Sequence, residues 1–132
     1  MAGAWEEGPE QYNLVLATPT VGLVSFEWAL NTYSLDKPGT ATIRGWKGLP
    51  FDVARNLLVK DARRLKARHI WFLDSDVLPS RLAALELLYW KLPIISGVVW
   101  SKKGSLALWR LNPDGITYNP LTQIPTGALV EV

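Results

Sequence analysis

His69-Ile70-Trp71-Phe72-Leu73-Asp74-Ser75-Asp76-Val77-Leu78-Pro79 is the stretch on which the reading of this 132-residue chain turns. Ile70 to Leu73 are four apolar residues in a row, without alternation, and predict a short strand buried on both faces, as in a parallel sheet. The run ends in two carboxylates, and Pro79 then allows a helix to begin. Asp74 and Asp76 are two residues apart, so a continued strand points both to one side. Two like charges at a sheet edge repel and raise each other's pKa; a divalent cation with oxygen ligands relieves that repulsion. A helix N-cap accounts for one aspartate before a helix start, but not for the pair.

The composition sets the frame around this stretch. Apolar residues make up 48% of the chain and charged residues only 20%, which argues against a disordered chain. The formal charge is +2 and the pI about 9.0, too small an excess for a nucleic-acid partner but enough to assist an anionic ligand locally. The chain has no cysteine, which removes disulfides, thiolate catalysis and zinc–thiolate sites together. Glu6, Glu7 and Glu10 stand where a signal peptide has its apolar core. The longest apolar run, Leu92 to Trp100, includes a proline and is too short for a transmembrane segment. The expectation is a soluble, cytoplasmic domain over residues 12–132, preceded by a flexible leader over 1–11. The seven tryptophans and four tyrosines bury large areas in a core or against a partner.

Outward from the central stretch, strands and helices alternate. Asn13 to Thr18 predicts a buried strand, followed by the turn Thr18-Pro19-Thr20-Val21-Gly22, which exposes backbone N–H groups and hydroxyls. A helix over about Val24 to Leu35 has Leu23, Phe26, Leu30 and Tyr33 spaced for one buried face. Thr40 to Trp46 is β-branched enough for a second strand. Phe51 to Lys66 is the strongest helix, with Phe51, Ala54, Leu58, Ala62 and Leu65 on one stripe and basic residues near its end. After the Asp74–Asp76 stretch come a helix from Pro79 to Trp90 and a strand from Pro93 to Trp100, where Gly97 suggests close approach of another backbone. Leu106 to Leu111 and Ile116 to Tyr118 flank Asn112-Pro113-Asp114-Gly115 as a hairpin, and Ala128 to Val132 reads as a last strand.

This alternation predicts an open α/β sheet, and such sheets bind ligands outside the carboxyl ends of their strands. Thr18, Pro19 and Thr20 arrive there from the first strand, Asp74 and Asp76 from the central stretch, and Arg55 and Asn56 from the first turns of a helix. An arginine at that edge can pair with phosphate, and a helix N-terminus favours anions. Ser101, Lys102, Lys103 and Gly104 follow the predicted fourth strand, where two lysines before a glycine could steer a diphosphate, although a solvated loop accounts for them more simply. His69, the only histidine, precedes its strand and belongs to the opposite edge, so no Ser/His/Asp triad is available.

These residues resemble the nucleotide-sugar half of a GT-A fold glycosyltransferase, close to the inverting family-2-like enzymes. The resemblance rests on Ala17-Thr18-Pro19-Thr20, Ala54-Arg55-Asn56, the Asp-x-Asp motif in Phe72-Leu73-Asp74-Ser75-Asp76-Val77, Pro93-Ile94-Ile95-Ser96-Gly97 and Thr126-Gly127-Ala128-Leu129-Val130, and covers about residues 12 to 132. It implies a Rossmann-like open mixed sheet, mostly parallel with a late antiparallel strand and helices on both faces. It further implies a UDP- or GDP-linked sugar as donor and a glycan, lipid or protein acceptor. Pro19 and Thr20 would line the nucleoside pocket, and Arg55 and Asn56 would contact base, ribose or diphosphate. Asp74 would hold the ribose or sugar side, with Ser75 between the aspartates, and Asp76 would bind Mn²⁺ or Mg²⁺ at the diphosphate. Gly97, Thr126 and Gly127 would reach the same edge.

Enzymes of this kind continue beyond the last matching strand with an acidic general base, whereas only Glu131 and Val132 follow Val130 here. The expectation is a C-terminally short domain that binds donor without an identifiable base and self-associates through its uncovered sheet. Two readings from other classes stand beside this one. A haloacid-dehalogenase-like phosphatase would use Asp74 as nucleophile and Asp76 as acid/base. A non-catalytic nucleotide- or sugar-binding module would keep the fold alone.

Overall fold

Tyr12–Thr20 forms strand β1, the middle member of a three-stranded parallel sheet ordered β2-β1-β3, with β2 at Ala41–Lys47 and β3 at Ala67–Phe72. The structure, a computed structural model, describes residues 12–100, 103–106, 109–121 and 123. The chain divides into two compact units, Met1–Leu92 and Pro93–Val132. The sheet belongs to the first.

Helices cover both faces of β1, as the sequence predicts. On one face Leu14 and Leu16 join Leu73, Trp28 of α1 (Phe26–Ser34), Leu35 and Ala84 of α3 (Ala83–Tyr89) in a single cluster. On the other, Val15 packs with Ala67 and with Ala62 of α2 (Phe51–Arg64), whose Ala54 and Leu58 are also buried. Paired on both edges and covered on both faces, β1 is buried without interruption from Leu14 to Pro19. Full burial of one such aliphatic side chain is worth about 1.5–3 kcal/mol.

Several expectations need correction. The strand buried on both faces is β1, not β3. In β3 only Ala67 is buried, and Phe72 remains 38% exposed, because β3 has β1 on one side and no further strand on the other among the described residues. The buried face of α1 is not the predicted stripe either: Trp28, Thr32 and Leu35 go inside, while Leu23, Phe26, Leu30 and Tyr33 face outward. One indole filling the α1 face outweighs the longer run of apolar residues opposite. α3 starts at Ala83 rather than Pro79, since residues 74–82 run through turns first.

In the second unit the predicted strand over Pro93 to Trp100 does not form. That segment is irregular, with a lone antiparallel bridge from Trp100 to Leu106. Among the described residues nothing lies within 4 Å of the Gly97 Cβ position; the close approach falls at Gly45 of β2 instead, where a Cβ would lie 3.3 Å from the Thr18 carbonyl oxygen. The hairpin is present as β4 (Trp109–Leu111) and β5 (Tyr118–Pro120), paired antiparallel as a separate sheet. Its Asn112–Gly115 turn closes with a hydrogen bond from the Gly115 N–H to the Asn112 carbonyl (3.0 Å), and Gly115 takes a positive φ of 71°. The leader over 1–11, Ser101, Lys102 and the late strand Ala128 to Val132 lie outside the described residues.

Candidate functional site at the carboxyl end of β1

The connection leaving β1 turns to the α1 face and the one leaving β2 to the α2 face. The winding thus reverses at the carboxyl end of β1, the position at which open α/β sheets bind ligands. β1 also outlasts its neighbour: Ala17 is the last residue in register with β3, opposite Phe72, whereas β2 pairs through Thr20. This explains a proline inside a central strand. The Ala17 carbonyl accepts from the Leu73 N–H on the β3 side (3.0 Å), and backbone groups two residues on point the same way. The N–H that Pro19 lacks is therefore one that β3, already ended, would not have bonded.

Thr18 and Thr20 flank that proline differently. The Thr20 carbonyl accepts from the Gly48 N–H (2.9 Å), and its hydroxyl lies 3.3 Å from both the N–H and the carbonyl oxygen of Gly22, closing the turn into α1. Thr18 is 4% exposed, and its hydroxyl has no hydrogen-bond partner among the described residues. An unpaired buried polar group costs about 1–3 kcal/mol. Violations of this kind concentrate at sites kept for something other than stability.

Past Phe72 the chain does not extend as a strand. The Val77 N–H donates to the Asp74 carbonyl (3.2 Å), so Asp74 to Val77 is a turn. The expectation that strand alternation directs both carboxylates to one side is corrected accordingly. Hydrogen bonds hold this segment against α1 and the loop after it, among them one from the Asp36 N–H to the Arg81 carbonyl (2.9 Å). The Trp28 indole Nε1–H donates to the Asp74 carbonyl (3.1 Å), Asn31 Nδ2 donates to the Pro79 carbonyl (3.0 Å), and Arg81 Nε donates to both carboxylate oxygens of Asp36 (3.1 Å each).

Arg55, in the second turn of α2, reaches Asp74 at 3.3 Å between Nη2 and Oδ1, and its guanidinium lies 5.5 Å from the centroid of the Phe51 ring one turn earlier. The two side chains are 43% and 52% exposed, and an ion pair this wet contributes only about 0–1 kcal/mol. Its consequence is positional. It sets a cation and a carboxylate side by side at the carboxyl edge of the sheet, and Asp76, two residues further along the turn, is exposed.

The donor set bears on the metal. Among the described residues no group of three or more His, Cys, Asp or Glu side chains could enclose an ion, and Asp74 is already engaged by Arg55. Mg²⁺ is commonly held by one or two carboxylates with phosphate oxygens and water completing the shell, and Mn²⁺ favours the same oxygen ligands. Asp76, with Asp74 beside it in sequence, fits a cation shared with a phosphate ligand and does not fit a closed protein cage.

The structure thus joins Arg55 to Asp74 and sets Thr18, Pro19 and Thr20 at the end of the neighbouring strand. Asn56 is exposed on α2, and Ser75 is half-buried in the turn. Gly97 belongs to the second unit, while Thr126 and Gly127 lie outside the described residues. His69 sits at the other end of β3, opposite Leu14, its Nδ1 3.2 Å from the Asn13 carbonyl oxygen. Trp28 and Phe51 were not anticipated. Phe51 carried a legible signal, since residues four apart on a helix are neighbours; the Trp28–Asp74 contact spans 46 positions and had none.

Fold and site together define an α/β domain that presents a paired arginine and aspartate at the carboxyl end of its central parallel strand. Comparisons with protein-family models, with curated proteins and with solved structures found no match to this chain.

Proposed function

We propose that the sheet unit binds a nucleoside diphosphate sugar, UDP- or GDP-linked, together with Mn²⁺ or Mg²⁺, as the donor-binding part of a metal-dependent glycosyltransferase. The observation that carries the reading is the Arg55–Asp74 pair (3.3 Å) at the carboxyl edge of the sheet, with Asp76 two residues further along the same turn. Arg55 supplies a fork of donors for a phosphate, Asp74 an acceptor for ribose or sugar hydroxyls, and Asp76 a carboxylate ligand for the cation. Pro19 and Thr20 border the nucleoside. The metal, when bound, offsets negative charge on the departing nucleoside diphosphate. Sugar transfer further requires a base to take the acceptor proton, a contribution of typically 10²–10⁴-fold, and no residue is assigned that role.

Calorimetric titration of UDP and GDP with Mn²⁺ and with EDTA tests the proposal. Binding that needs the metal is the expected result, and equal affinity in both conditions rejects the reading. Asp76→Asn should weaken metal-dependent binding about tenfold or more, as for loss of a charge-assisted contact of roughly 1.5–3 kcal/mol. Asp114→Asn, in the second unit, should leave it unchanged. Metal alone should bind far more weakly than metal with nucleotide, because the protein offers so few ligands of its own.

A further inference from the structure

The outer face of α1 is apolar where a surface helix is ordinarily polar. Phe26 is 80% exposed, Leu30 53% and Tyr33 83%, and Leu23 (97%) and Val21 (75%), in the turn that leads into the helix, are exposed too. At 3.6 residues per turn Phe26, Leu30 and Tyr33 form one stripe, opposite the face that Trp28 and Thr32 bury. α1 is therefore apolar on two opposite faces, the pattern of a helix covered on both sides, and the described residues cover one.

We propose that this stripe is a dimerisation face, with α1 of one chain packing on α1 of a second copy about a two-fold axis. Charge argues for that occupant. The only charged residue of α1 is Glu27, off the stripe, and the helix has no Lys or Arg. Two copies thus meet without repulsion, whereas a helix lying on a lipid surface carries basic residues along its polar side. Area argues the same way. Aromatic side chains bury roughly 150–250 Å² each; the stripe together with the exposed residues leading into it offers on the order of 600 Å², near the ~800 Å² per partner of a standard interface. A two-fold contact is self-complementary and closes, so it yields a dimer and not a filament. The inference is independent of the nucleotide site.

The test is sedimentation velocity of the chain, combined with oxidative cross-linking. The chain has no cysteine, so Ala29→Cys, exposed beside the stripe, places a single thiol at the proposed contact. The dimer should cross-link there, but not through Lys60→Cys on the exposed side of α2. Phe26→Glu with Tyr33→Glu should raise the dimer dissociation constant about 30-fold or more, the effect of losing interface hot spots. Circular dichroism verifies that this variant folds, and Leu23→Lys, outside the helix, gives a second disruption. A wild-type monomer overturns the proposal. So does a dimer that survives these substitutions and fails to cross-link at Ala29→Cys, which would point to the β3 edge instead. A monomer that co-sediments with lipid vesicles overturns it as well.

Discussion

β1 and β3 lie side by side and run parallel, and each is rich in apolar residues, yet the sheet treats them differently. β1 is buried from Leu14 to Pro19; β3 retains only Ala67 fully buried and leaves Phe72 38% exposed. The bulkier apolar run, Ile70 to Phe72, is on the more exposed strand, and Leu73, just past its end, is buried. An unbroken apolar run therefore identifies a strand without saying whether it is central. Burial on both faces requires two paired edges and two covering helices, and β3 has one neighbour among the described residues.

The largest effect should separate the two strands directly. Leu16→Ala in β1, at 0% exposure, should lower the unfolding free energy by about 2–5 kcal/mol, the range for a fully buried leucine. Phe72→Ala removes more atoms from β3 but should cost less. Urea denaturation gives the ranking, and a larger loss at Phe72 would break the comparison.

Trp28→Phe addresses what holds the end of β3. It keeps most of the ring and deletes the indole N–H that bonds the Asp74 carbonyl. The expected cost is about 0.5–1.5 kcal/mol, with faster amide exchange at Val77, whose N–H closes the Asp74 turn. Unchanged exchange there would mean that the other contacts suffice to hold the segment.

Thr18→Val should be neutral or slightly stabilising, since it removes a buried hydroxyl that has no partner among the described residues. The same substitution should weaken nucleotide binding if the hydroxyl serves a ligand. A destabilised variant would show that the hydroxyl bonds within the fold and that β1 is uniformly structural.

The smallest effect lies away from both strands. The Asp114 carboxyl is held below its ordinary pKa by the Thr117 hydroxyl and by the backbone N–H groups of Ile116 and Thr117. A depressed carboxylate pKa contributes order above the unfolded value that is lost as pH falls through the folded one. The β4–β5 turn should therefore loosen only in acid, below the usual carboxylate range. Amide shifts of Ile116 and Thr117 report this, and a response at neutral pH would contradict the assignment.

The alternation of strands and helices in the first unit was legible in the chain because each element carries its own pattern: the α2 stripe of Ala54, Leu58 and Ala62, the β-branched Thr42 and Ile43, the apolar Leu14 to Ala17. The Asn112–Gly115 hairpin turn was legible for the same reason, since its bonds are made within a few residues. So was the gathering of Thr18, Arg55 and Asp74 at one sheet edge, which follows from strand direction alone. Which strand lies in the middle, which face of α1 turns inward, that Pro93 to Trp100 forms no strand and that Asp74 turns back toward Trp28 could not be read from local pattern. Each depends on partners distant in the chain: pairing on a strand's second edge, one indole competing with a stripe of smaller residues, a hydrogen bond across 46 positions. Local periodicity records what a segment can bury, and only the packed chain settles what is present to bury it against.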